Sequence, residues 1–266
     1  MSKITVSWFS AGVSSAVATK LAIDEIDEII YTHIDDQHPD TLRFVKECEA
    51  WFGKPITILQ APVKTVEAAM CLFPSRGFGR WSPCTQILKR RVRQAWERDH
   101  KSSDLVYFWG MDASEKGRAE RLSLSMPKQD HRCPLVERGI GKAEAHEILR
   151  ASGIKRPAMY DLGYHNNNCI GCVKGGAGYW NKIRVDFPEV FAARAKLERK
   201  LGGHFLKRGY LDELDPSAGR HAGPICDDCG IMCELQSLNN ANAEAHGRRS
   251  RTVQPLVGHS ESGGRK

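Results

Sequence analysis

Apolar and polar positions along the chain alternate between a strand-like and a helix-like period. Residues 4–9, 28–33, 55–59 and 105–109 are short runs rich in β-branched and aromatic side chains, with the length of strands. Between them, residues 15–26, 40–52, 84–100 and 142–151 repeat apolar side chains at helical spacing, and Gly153 stops the last of these. Strands that alternate with helices predict an α/β fold, a doubly wound parallel sheet. Its most apolar run, 105–109, belongs in the sheet interior, because a strand covered on both faces has no polar side to show. Ligands of such sheets bind beyond the carboxyl ends of the strands.

After Tyr160 the periodicity lapses. Residues 163–178 are rich in Gly, Asn and Cys, and helical patterning returns only at 179–184 and 189–201. From Asn239 the chain is Asn, Gly, Ser, Arg and His with almost nothing apolar, the composition of a disordered tail. Three parts are therefore expected: an α/β ligand-binding domain over 1–160, an irregular Cys/Gly-rich region over 161–236 packed on it, and a tail over 237–266. The aromatic residues Tyr164, Tyr179 and Trp180 are expected in the core of the second part.

Composition narrows the class. The chain has 266 residues, 41% of them hydrophobic, enough for one good-sized core. No run approaches the roughly 20 apolar residues that span a bilayer, and the first strand begins without a leader pattern. No membrane partner is expected, and the cytoplasm is the expected location. Nine cysteines in that setting read as metal ligands or redox thiols rather than a disulfide framework. The net charge of +7 includes dense basic runs at Lys89-Arg90-Arg91 with Arg93, and at Lys116, Arg118 and Arg121, which suit phosphorylated ligands or nucleic acid.

The chemistry concentrates where the first strand meets the first helix. Ser7-Trp-Phe-Ser-Ala-Gly-Val-Ser-Ser-Ala-Val-Ala18 places a Ser/Gly loop at a helix N-terminus, where backbone amides, the hydroxyls of Ser10, Ser14 and Ser15 and the helix dipole favour an anion, and Gly12 permits close backbone approach. The loop is neither a Walker sequence nor GxGxxG. Asp35 and Asp36 follow the second strand, placed to receive a ribose hydroxyl or hold Mg²⁺. Cys169-x-x-Cys172 and Cys226-x-x-Cys229-x-x-x-Cys233 set thiolates at chelating spacing, suited to zinc or iron–sulfur. Cys48 and Cys71 read as small core residues, and Lys174, Arg76 and Arg80 as further anion-binding candidates.

These motifs together resemble the phosphoadenosine phosphosulfate (PAPS) reductase family of the PP-loop, Rossmann-like adenine-nucleotide proteins, over roughly residues 3–235. Ser10-Ala-Gly-Val-Ser-Ser15 is similar to the family's Ser-Gly-Gly-Lys-Asp-Ser loop, and His33-Ile-Asp-Asp-Gln-His-Pro-Asp-Thr41 to its acidic segment, which carries Asp35 and Thr41 across. Trp81-Ser-Pro-Cys-Thr-Gln-Ile-Leu-Lys89 resembles the Cys-Cys…Leu-Lys stretch of the iron–sulfur reductases, Cys169-Ile-Gly-Cys172 their second cysteine pair, and Asp228-Cys-Gly-Ile-Met232 the segment with their nucleophilic thiol. The chain differs in having Val13-Ser14 for Lys-Asp, Pro83 for one cluster cysteine and Met232 for a histidine.

The resemblance implies an adenine nucleotide (PAPS, adenosine phosphosulfate, or ATP with Mg²⁺) held by Ser10, Gly12, Ser14, Ser15, Asp35 and Lys89. It implies an iron–sulfur cluster on Cys84, Cys169 and Cys172, with Cys226 or Cys233 as candidate fourth ligand and structural zinc as the alternative. It implies attack by Cys229 on a sulfonucleotide, with a thioredoxin-type dithiol as reductant. Two alternatives stand beside it: an ATP-dependent sulfurtransferase that adenylates tRNA or DNA, and a zinc-braced binding module without catalysis.

Overall fold

The computed structural model describes residues 3–73, 82–101 and 104–220. Five parallel strands form one sheet: β1 (Lys3–Phe9), β2 (Glu28–His33), β3 (Ile56–Gln60), β4 (Asp104–Phe108) and β5 (Asp130–Arg132), in the order β3-β2-β1-β4-β5. The helices are α1 (Val13–Leu21), α2 (Asp40–Phe52), α3 (Val66–Cys71), α4 (Pro83–Thr85), α5 (Arg91–Asp99), α6 (Lys116–Ser125), α7 (Pro134–Arg138), α8 (Lys142–Ala151), α9 (Ala158–Asp161), α10 (Ala177–Asp186) and α11 (Pro188–Leu201). A π-helical turn, Gln86–Arg90, joins α4 to α5.

The predicted double winding is visible in the strands. In β2, Ile29 and Tyr31 face one core while Ile30 faces the other; in β4, Val106 and Phe108 oppose Leu105 and Tyr107. Successive side chains point to opposite faces of a strand, so an unbroken apolar run is what a sheet covered on both sides requires. Val13, Ala16 and Val17 of α1, Phe44 and Phe52 of α2, and Leu149 of α8 pack on one face, and Trp96 of α5 and Leu122 of α6 on the other.

The chain runs from β1 to β2 and β3 on one side and returns to lay β4 and β5 on the other. The order therefore reverses between β1 and β4, and a crevice opens beyond their carboxyl ends. A third apolar cluster joins Ile34, Val66 and Ile87 to Tyr164, Tyr179, Trp180, Ile183 and Leu197, so the three aromatics expected in a core lie in one. Asp36, expected to serve a ribose or Mg²⁺, instead binds that assembly together. It forms an ion pair with buried Arg194 of α11, and its other oxygen accepts the Val66 N–H at 2.6 Å.

Removing one member of a buried ion pair strands the other in a poorly solvated site. Arg194→Met is expected to lower unfolding free energy by about 3–5 kcal/mol, and adding Asp36→Asn to recover part of it. Urea midpoints of the two variants check this; equal losses in both would contradict the pairing argument.

Candidate functional site

The turn from β1 into α1 is built for exposed amides. Ala11 has φ of 58°, the left-handed region, and Gly12 is the N-cap of α1 in extended conformation. The Ser10 N–H is satisfied by Ser15 Oγ at 3.0 Å and the Val13 N–H by the Tyr160 hydroxyl at 3.2 Å. The amides of Gly12, Ser14 and Ser15 have no hydrogen-bond partner among the described residues, the condition of a helix N-terminus awaiting an acceptor. A Cβ on Gly12 would lie 3.3 Å from the Tyr160 hydroxyl, a tight contact that the tyrosine would have to relieve by a small shift.

Gly110, just past β4, makes the second wall. A Cβ on it would sit 2.3 Å from the Ser15 Cα, so only glycine lets this loop touch the first turn of α1. Together the two turns border a cleft of about 570 Å³, open mouth included. Ser10, Gly12, Ser14, Ser15 and Lys89 all line it, as does Cys169. Lys89 reaches it from the π-helical turn; an extra residue in a helical turn re-aims the side chains that follow, and such turns recur at functional sites.

Several lining residues were not singled out from sequence: Gln37, Gly110, Asp112, Glu115, Lys142, Tyr160 and Asn166 to Asn168. Two signals existed. A glycine directly beyond an interior strand marks a close approach at the ligand edge of the sheet. Three consecutive asparagines before Cys169 are donors and acceptors in a stretch with no regular element to absorb them. Each asparagine is under 10% exposed. Lys142 Nζ donates to Asn166 Oδ1 at 2.6 Å, and Gln37 bridges as an isolated antiparallel pair to Cys169. Tyr31 donates its hydroxyl to Gln37 Oε1 at 2.6 Å; burial raises the Tyr31 phenol pKa, so it stays protonated and keeps donating.

The other expected site residues part company with this cleft. Asp35 is not among its lining residues; it is 43% exposed at the side chain and accepts from Gln60 Nε2 at 2.7 Å. Cys84 and Cys172 share the third apolar cluster with Cys169, but do not line the cleft. Among the described residues no three His, Cys, Asp or Glu side chains are grouped to hold a metal ion. Cys226, Cys229 and Cys233, with Arg76 and Arg80, lie outside the described residues, as does the expected tail.

The basic runs also separate. Arg93 is buried against Glu97 and Arg118 against Glu115, while Arg91 lies over the Phe73 ring. The Lys174 ammonium is buried with no hydrogen-bond partner among the described residues, and it does not line the cleft. Cys48 is a core residue as expected, its thiol pKa raised by burial, and Cys71 is half-buried. Cys133 caps α7 with its thiol pushed up to about 12, chiefly by burial, which leaves it inert as a nucleophile.

No protein-family model and no curated protein matches the sequence. Among solved structures the fold is similar to that of phosphoadenylyl-sulfate (PAPS) reductase from Candida auris, determined as a phosphate complex. The TM-score is 0.42 and the identity 14%, over 62% of this chain and 79% of that one.

Two outcomes follow from the geometry. Gly110→Ala is expected to force β4 and α1 apart, costing about 1–3 kcal/mol and weakening anion binding; thermal melting and phosphate titration read both, and unchanged values would contradict the close approach. His146 packs edge-on to Tyr160 at 4.8 Å, and burial, with Arg156 and Lys142 nearby, holds its pKa below the usual 6.5. The unfolded chain therefore protonates first, so stability is full above pH 6.5 and declines as pH falls through the window below it. His146→Phe should flatten that decline in urea titrations at stepped pH.

Proposed function

We propose that the protein is an adenine-nucleotide enzyme of sulfur metabolism, similar to the PAPS reductases, that reduces a sulfonucleotide through a cysteine thiolate. One observation carries the reading: unpaired amides of the α1 N-terminus, the Lys89 and Lys142 side chains and the Cys169 residue meet at one cleft, at the strand-order reversal of a parallel sheet. Amides and helix dipole bind the phosphate–sulfate end without a mobile cation. The two lysines lower the charge that would otherwise repel an attacking thiolate.

In this reading the nucleophile is Cys229, a role that comes from the resemblance of Asp228-Cys-Gly-Ile-Met232 and lies outside the described residues. Its thiolate attacks the sulfonate sulfur. A sulfur–sulfur bond forms, the bond from sulfur to the phosphate oxygen breaks, and the nucleotide leaves with that oxygen and the electron pair. A thioredoxin-type dithiol then attacks the Cys229 sulfur, sulfite leaves, and the dithiol ends as a disulfide. No step is routed through a metal.

A second reading, ATP-dependent sulfur transfer to tRNA or DNA, is favoured by one feature. Asp112 and Glu115 place carboxylates at the same cleft, and hard oxygen donors suit the Mg²⁺ that accompanies ATP. Asp112, however, already accepts from the Ser114 N–H at 3.0 Å, and Glu115 is paired with Arg118.

The discriminating experiment offers the full chain PAPS, adenosine phosphosulfate or ATP, with a dithiol present. Sulfite release is expected from a sulfonucleotide, lost in Cys229→Ser and reduced about tenfold or more in Lys89→Ala. AMP formation from ATP with RNA or DNA, and no sulfite, would select the second reading instead.

A further inference from the structure

We propose that Asn167 is a positioning residue for the cleft: its carboxamide locks the turn at Ala11 in the left-handed conformation that aims the α1 amides at the ligand. The identity of that ligand rests on the nucleotide reading above; the clamp itself does not.

Ala11 is the only non-glycine described residue with positive φ, and it is fully buried. An L-residue with a Cβ resists this conformation, because Cβ crowds the following carbonyl. Such an outlier persists only when its surroundings over-determine it, and outliers of this kind cluster at functional sites. Here the surroundings are specific. Asn167 Nδ2 donates to the Ala11 carbonyl at 2.9 Å and to Thr41 Oγ1 at 3.1 Å. The orientation of the amide is fixed by chemistry, since a backbone carbonyl has no proton to give and only the NH₂ end can face it.

Both residues are buried. Asn167 is 6% exposed and Thr41 is 1% exposed in the first turn of α2, whose backbone N–H is itself tied to the His38 carbonyl at 2.9 Å. Three distant segments, the β1–α1 turn, the head of α2 and the loop before Cys169, thus meet on one carboxamide. Rotating Ala11 to negative φ would turn its carbonyl away from Asn167 and re-aim the peptides that follow, including the Gly12 amide. Two residues on, Cys169 is pinned to Gln37 by the isolated bridge, and the Ile170 N–H donates to the Asp36 carbonyl at 2.8 Å. The loop that brings the thiol therefore also sets the geometry of the amides.

The test uses the full chain with Asn167→Ala. Titration with adenosine phosphosulfate and with ATP is expected to show binding weakened about tenfold, the effect of one buried hydrogen-bonding group lost. Ala11→Gly placed in that background is expected to recover most of the loss, because glycine takes positive φ at no steric cost. A merely structural role for Asn167 would not be repaired by deleting a methyl group at residue 11. Independently of any nucleotide, selective ¹³C-alanine labelling reads the Ala11 backbone: left-handed shifts in the wild type, lost in Asn167→Ala.

Wild-type affinity in Asn167→Ala, retained left-handed shifts, or no recovery with Ala11→Gly would each overturn the clamp. If the wild type binds neither nucleotide, the functional reading fails and the Ala11 shifts alone decide the clamp. Should Asn167→Ala not fold, Thr41→Val frees one anchor; about threefold weaker binding supports the proposal, and unchanged shifts and affinity overturn it.

Discussion

A helix that begins inside a protein leaves its first amides without partners, and burying them unsatisfied costs free energy that the fold must offset. The first turn of α1 is in that position, pressed by Gly110 against the end of β4. The chain meets part of the demand with its own side chains. Ser15 Oγ serves Ser10, and the Tyr160 hydroxyl, from 147 positions downstream, serves Val13. What it leaves open belongs to the cleft: the remaining amides are those of Gly12, Ser14 and Ser15, residues that line it. The position of α8, α9, the asparagine loop and the π-helical turn can all be understood from that one boundary, because each sends a side chain to the same rim.

The same constraint explains why the third apolar cluster matters to the site. The loop with Asn167 and Cys169 has no regular structure of its own to hold it. It is held by what lies beneath, where Tyr179 accepts the Cys172 N–H at 2.8 Å and Arg194 reaches both the Gly171 carbonyl and Asp36. Burial raises the Tyr179 phenol pKa far above its ordinary value, so the hydroxyl remains neutral and can donate toward the Cys169 carbonyl. Packing of α10 and α11 is thus transmitted to the cleft by hydrogen bonds to backbone rather than by contact with any ligand.

Elements with strong periodicity were legible in the sequence. The second strand and the helices 40–52 and 142–151 fall where the pattern put them, and β4 is an interior strand as its apolar run implied. β5 was not, since Asp130-His-Arg132 contains no apolar residue and is a strand only because β4 offers it an edge. The long basic helix proved to be three pieces, because hydropathy does not encode a π turn. For the site, the serine loop announced itself by composition and position. Gly110, Tyr160 and Asn167 did not, since each acts through a contact made across 95 to 156 positions, as with Gly110 on Ser15 and Asn167 on Ala11. Charge misled in both directions. Asp36 looked like a ligand group and is a structural ion pair, while Arg93 and Arg118 are spent on neighbouring glutamates.

Two carboxylates, Asp112 and Glu115, border a cleft whose amides favour an anion. Asp112 forms a capping box: its side chain takes the Ser114 N–H and hydroxyl, and Glu115 returns to the Asp112 N–H at 3.1 Å. Glu115 is further neutralised by Arg118, which is 6% exposed. Carboxylates whose lone pairs are engaged by donors on the protein side present little uncompensated charge to the solvent side. The lysines differ. Lys142 is held by a neutral carboxamide, Asn166, which orients its ammonium without cancelling it. Amides, helix dipole and the Lys142 ammonium, which has no carboxylate partner among the described residues, then add in favour of an anion at this rim. The asparagine run therefore does for Lys142 what a glutamate could not: it fixes a cation and leaves the charge intact.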